Sequence, residues 1–105
     1  MRRVMGHRRD AHTPLWITEI GWGSARSNGS LSRGLKGQKR LLRSSFNLLL
    51  DVRQKWHIQR VLWYDWRDSK AFPPPSKCGF CPTAGLLRES GKPKPAFQAF
   101  KRFAR

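Results

Sequence analysis

The chain is short of acid. Against 22 Lys and Arg it carries 6 Asp and Glu, a net charge of +16 over 105 residues. Acid–base chemistry must therefore draw on Asp10, Glu19, Asp51, Asp65, Asp68 and Glu89. Cysteine is scarcer still, with Cys78 and Cys81 alone. A structural zinc site needs four ligands, and His7, His12 and His57 stand at no matching spacing, so no metal is expected. A thioredoxin-like redox motif needs a helix N-terminus behind a strand. The proline-rich surroundings of Cys78 and Cys81 do not supply one. Long apolar runs are absent as well. Nothing approaches the roughly 18 consecutive apolar residues of a spanning helix, so no membrane partner is expected. The first nine residues carry the charge of a signal peptide's opening but neither its apolar run nor its cleavage site, and do not read as an export signal.

A basic excess of this size usually points to nucleic acid, an anionic surface or an acidic glycan. Here Arg2, Arg3, Arg8, Arg9, Lys36, Lys39, Arg40, Arg43, Lys92 and Lys94 are spread along the chain, with no block of five. Dispersed charge reads as solvated surface, and nucleic acid is not the expected partner. The rival reading is a small basic module for nucleic acid or anionic glycan. Its mark would be a clustered basic face with aromatics interleaved.

What is present begins with Leu15-Trp16-Ile17-Thr18-Glu19-Ile20, entered through Pro14 and broken by Gly21 and Gly23. That is a short strand over 15–20. Its near-continuous apolarity predicts a strand covered on both faces, as in a parallel sheet wrapped by helices. Period two groups Leu15, Ile17 and Glu19 against Trp16, Thr18 and Ile20. Ser30 or Ser32 then offers an N-cap. A helix over 33–56 follows, with Leu35, Leu42, Phe46, Leu49 and Trp56 as its apolar stripe. A second strand runs over 58–66, with Val61, Trp63 and Asp65 on one face and Leu62, Tyr64 and Trp66 on the other. Tyr64 is expected to pack outward against the long helix. An irregular loop over 67–83 holds the run Pro73-Pro74-Pro75 and both cysteines, and a helix over 95–104 closes the chain with Phe97, Phe100 and Phe103 inward. Strand, helix, strand is a βαβ unit, which sets an α/β class with parallel strands.

Trp16-Ile17-Thr18-Glu19-Ile20-Gly21-Trp22 resembles the seventh-strand motif of clan A glycoside hydrolases, which are (β/α)8 TIM barrels. Trp63-Tyr64-Asp65-Trp66 and the Gly85-Leu86-Leu87 to Lys94-Pro95-Ala96-Phe97 segment resemble, in order, their eighth strand and closing helix. A whole barrel takes about 250 residues, so the resemblance implies a partial barrel, the last two β/α units of a secreted, actinobacterial-type enzyme. It implies that Glu19 stands at the nucleophile position of a retaining mechanism. It further implies that Trp22, Trp63 and Asp65 meet a poly- or oligosaccharide substrate, with β-linked polysaccharide as the class and no cofactor. The bland reading of Glu19 is a turn cap or the partner of one of the many arginines.

A retaining glycosidase needs two carboxylates about 5 Å apart. In the family the second lies on the fourth strand after an Asn, and this chain has no such segment. The fragment is therefore expected to be inactive alone, whatever its parent does. An extracellular parent and the loop setting fit a Cys78–Cys81 disulfide best, although the spacing only permits one. Exposed sheet edges imply oligomerisation.

Overall fold

The computed structural model describes residues 1–26, 30–70 and 78–104. In order it forms α1 (Arg2–His7), β1 (Leu15–Ile20), α2 (Gly34–Trp56), β2 (Ile58–Trp63), a 3₁₀ turn (Cys81–Thr83) and α3 (Pro95–Phe103). The strands pair in parallel, with α2 as the crossover. The chain is thus an α/β βαβ unit followed by a closing helix.

Local sequence explains the joints. Gly34 enters α2 at φ +69°, a left-handed turn that costs glycine little. Neither Ser30 nor Ser32 caps the helix: the cap is Arg33, without a side-chain bond. Ser32 is instead drawn into a bridge with Gly23, where Gly23 N–H donates to Leu31 and Arg33 N–H donates back to Gly23. At the other end His57 takes the left-handed conformation, and β2 begins at the next residue. Arg53 and Lys55 in the last turn complement the carbonyl end of the helix dipole.

The core lies on one side of the sheet. Leu42 and Phe46 of α2 are buried with Leu86, Ala96 and Ala99, and Ile20, Val61 and Trp63 pack onto them from the strands. Ala96 and Ala99 let α3 approach α2 closely. Phe46 then meets Phe103, Phe100 and Trp63 at ring distances of 5.2, 5.9 and 6.4 Å. The expected apolar stripe is wider than this core: Trp56 remains exposed, as do the neighbouring Leu48 and Leu50.

The other side of the sheet is bare. Trp16 is 59% and Leu62 50% exposed, so the strands are covered on one face rather than on both. Two strands carry too little chain to wrap a second layer. Simple alternation also fails within β1. An irregularity between Ile17 and Ile20 turns Ile20 to the helix-facing side with Leu15 and Ile17, and leaves Trp16, Thr18 and Glu19 exposed. Glu19 therefore does not share a face with Leu15 and Ile17.

β2 ends at Trp63 rather than at residue 66. From there the backbone leaves β1 and pairs with a later stretch. Asp65 N–H donates to Ala84, Leu86 N–H to Asp65, and Asp68 N–H to Leu87, at 3.0–3.2 Å. The Tyr64–Asp65 peptide is cis. Cys78 and Cys81 form a disulfide with Cα atoms 5.5 Å apart. The three consecutive prolines of the expected loop lie outside the described residues.

Candidate active site

Both strands point their carboxyl ends at one rim, and Glu19 stands there. It is followed by Gly21, on which a Cβ would lie 1.9 Å from the Tyr64 carbonyl oxygen. Only glycine allows that approach, and Tyr64 N–H donates to the Ile20 carbonyl at 2.9 Å. The two strand ends are in this way locked side by side, with Tyr64 in the field of Glu19. The Tyr64 hydroxyl is held above its ordinary 10, first by burial, then by the charges of Asp65 and Glu19. Among the described residues no hydrogen bond or ion pair engages the Glu19 carboxylate. Neither the turn-capping nor the arginine-paired alternative is realised among the described residues.

The aromatic residues sort differently from the sequence expectation. Trp63 is on the helix side: it packs on Phe46, and its indole N–H donates to the Ala84 carbonyl at 3.1 Å. It is half-buried against the core. Tyr64, expected to point outward, lies on the Glu19 side. The β2 face assignment is therefore reversed, because the strand packs Val61 and Trp63 onto α2. Trp22 is half-buried, 5.9 Å from the Trp63 ring, and its carbonyl accepts from Gln38 at 2.9 Å. The Asp65 carboxylate accepts the Trp66 N–H and is half-buried at the rim. Trp66 is exposed and rests edge-on against Phe97. Within the disulfide loop, Phe80 meets Tyr64 edge-on at 6.3 Å.

Beneath the rim lies a polar knot that composition did not suggest. Lys94, 2% exposed, donates to Asp68 at 2.6 Å, to Ser24 Oγ at 2.9 Å and to the Thr83 carbonyl at 3.0 Å. Burial holds its ammonium below the ordinary 10.5, while the Asp68 hydrogen bond and charge pull it back up. Asp68 also accepts the Gly85 N–H at 3.0 Å. Buried Gln38 points its amide at the carbonyls of Trp22, Ala84 and Gly85. These side chains tie the segment after β1 to the segment after β2. From sequence, Asp68 is one of six acids and Lys94 one of the dispersed charges. The signal that could have found Lys94 is its seat between Pro93 and Pro95, which fixes the backbone on both sides.

Among the described residues no cluster of three or more His, Cys, Asp or Glu could hold a metal, and no helix is long and apolar enough to cross a membrane.

No protein-family model and no curated protein sequence matches the chain. Solved structures do. A GH5_18 variant from Bifidobacterium longum subsp. longum, in complex with Manβ1-4GlcNAc, superposes with a TM-score of 0.72 at 22% identity, over 91% of this chain and 20% of its own. GH5_18 from Streptomyces cattleya, in complex with GlcNAc, gives 0.70 at 17% identity, over 98% of this chain and 23% of its own. A β-glucuronidase from Faecalibacterium prausnitzii gives 0.63 at 15% identity, over 97% and 17%. The fold is that of a piece of a glycoside hydrolase barrel. The chain spans about a fifth of the structures it matches, and its two-stranded parallel sheet with flanking helices is consistent with part of such a barrel.

Proposed function

We propose that this chain supplies the seventh and eighth β/α units of a retaining glycoside hydrolase acting on β-linked saccharides, with Glu19 as nucleophile. The observation that carries this is the exposed Glu19 carboxylate, with no hydrogen-bond or ion-pair partner among the described residues, at the carboxyl end of a parallel strand. Active sites of such barrels gather at that end. In the proposed reaction a Glu19 oxygen attacks the anomeric carbon while the glycosidic C–O bond breaks. A second carboxyl group protonates the leaving oxygen, and water later cleaves the glycosyl ester. Tyr64, in the field of Glu19, walls the sugar site in place of Trp63, with Trp22 and Asp65 at the rim.

The second carboxyl group is not among this chain's own acids. Asp68 is bound to Lys94 and Asp65 to the Trp66 N–H, while Glu89 pairs with Lys70 at 3.4 Å. Asp51 lies mid-helix in α2 and Asp10 precedes β1. The isolated chain is therefore proposed to be inactive, and a parent bearing the disulfide to be extracellular. The sugars bound by the fold neighbours make β-linked mannosyl and N-acetylglucosaminyl oligosaccharides the first substrates to try.

The test is a graft. Residues 15–104 replace the matching segment of a GH5_18 barrel, and turnover is compared with the same graft carrying Glu19→Gln. Loss of several orders of magnitude, with retained sugar affinity and a fluorinated glycoside trapped on Glu19, is expected. Label on another residue, or near-normal turnover of the Gln form, removes Glu19 from the mechanism.

A further inference from the structure

Basic residues that are scattered in the sequence are gathered by the helix. Lys36, Lys39, Arg40, Arg43 and Asn47 recur at the three- and four-residue steps that place side chains on one face. At 1.5 Å per residue they form a row about 16 Å long. All are exposed, and none of the four cations makes an ion pair among the described residues. The single acid on α2, Asp51, lies a full turn beyond Asn47. Like charges at these spacings repel and weaken the helix that carries them. The row also lines a concavity. With Pro95 at the start of α3, these five residues border a groove of about 490 Å³ on the outer, helical side of the fold.

We infer that this groove between α2 and α3 binds a single chain of acidic polysaccharide, its carboxylates or sulfates pairing with Lys36, Lys39, Arg40 and Arg43. The occupant follows from charge and shape together. Four unpaired cations at short regular spacing match a polymer with an anion on each repeat. A groove of this volume admits one chain, whereas a nucleic-acid duplex would meet only its rim. No aromatic side chain lines it, and single-stranded nucleic acid is held largely by stacking bases on aromatics. A lipid surface would call for an apolar rim beside the cations, and Pro95 alone is apolar here. The site is on the other side of the sheet from Glu19, so this inference stands apart from the glycosidase reading.

The whole chain also carries +16, so the test must separate the groove from net charge. Binding of a fluorescent polygalacturonate oligomer is followed by anisotropy at 50 and 200 mM salt, for the full chain and two variants that each lose four charges. One neutralises Lys36, Lys39, Arg40 and Arg43 to Gln. The other neutralises the exposed Arg8, Arg9, Lys92 and Arg102. At low salt the groove variant is expected to bind at least tenfold more weakly, with a flatter salt dependence, and the control to change less than twofold. Single changes Lys39→Gln and Arg43→Gln, expected to weaken binding two- to fivefold each, carry the test if the fourfold variant fails to fold by circular dichroism. Equal losses in the two fourfold variants would overturn the proposal. So would tighter binding of single-stranded DNA, of duplex DNA or of phosphatidylserine vesicles than of the polysaccharide.

Discussion

The two faces of the sheet are built from the same twelve strand residues and have opposite fates. On one, Ile20, Val61 and Trp63 are partly buried against the core that α2 and α3 share. On the other, Trp16, Thr18, Glu19 and Leu62 stand open. The covered face buries its apolar surface within this chain. The open face is as apolar in Trp16 and Leu62 but has no helix to cover it, and it carries the Glu19 carboxylate, which no basic group among the described residues claims. Composition alone does not separate the faces, since both contain tryptophan. What separates them is which side the crossover helix covers. Stability is thereby concentrated on the helix side and the proposed chemistry on the other.

Substitutions should reveal that division, and the largest effect belongs to the covered face. Phe46→Ala removes the ring that joins α2, α3 and Trp63, and should cost about 3–5 kcal/mol in urea unfolding. Trp16→Ala deletes a larger side chain from the open face and, at dilutions where the chain is monomeric, should stay within about 0.5 kcal/mol. Comparable losses for the two would mean that the open face is covered in solution.

The next effect tests the knot that joins the loops above both faces. Lys94→Met leaves Asp68 with one backbone donor in place of an ammonium. A cost of about 3 kcal/mol is expected, and Lys94→Met with Asp68→Leu should recover most of it. The pH dependence has a definite sign. The folded state holds Lys94 below its ordinary 10.5, so between the two values the unfolded chain binds more protons. Stability should climb as pH rises through the folded-state value toward 10.5, and Lys94→Met should flatten that climb.

The elements were legible in the sequence because they obey local rules. Pro14 and Gly21 bracket β1, the three- and four-residue recurrence of Leu42, Phe46 and Leu49 marks α2, and Pro95 opens α3. The placement of Glu19 at a strand end was equally local. Which way the side chains face was not. A single irregularity between Ile17 and Ile20 moves Glu19 off the Leu15–Ile17 side, and it depends on pairing with a strand some forty residues away. Trp63 and Tyr64 exchange faces because period two gives two faces but does not label them. Lys94 was hidden because burying a charge requires Ser24, Asp68 and Thr83 to converge from three separate segments.

A smaller effect concerns association through the open face. Unpaired strand edges and bare apolar surface recruit other chains, so the isolated chain should self-associate in sedimentation. Trp16→Gln with Leu62→Gln should shift it toward monomer while leaving the unfolding free energy within about 0.5 kcal/mol. A chain that is already monomeric before substitution would show that this face has no tendency to be covered.

The smallest effect tests the geometry of the open face most directly. Tyr64 is the only tyrosine in the chain, so an ultraviolet titration of phenolate reports it without assignment. Its hydroxyl should ionise above the ordinary 10 because it is buried and faces the charges of Asp65 and Glu19. Glu19→Gln removes one of those charges and should lower the midpoint. Asp65→Asn, which removes the stronger of the two, should lower it further. Burial is the largest cause, so the double variant should still titrate above 10. The stability consequence has the opposite sign to that of Lys94. The folded state keeps the phenol proton to higher pH than the unfolded chain, so stability should fall as pH rises beyond 10. A midpoint that ignores Glu19→Gln while responding to Asp65→Asn would place the two strand ends farther apart than Gly21 permits here. That result would leave the helix-covered face intact and remove Tyr64 from the neighbourhood of the proposed nucleophile.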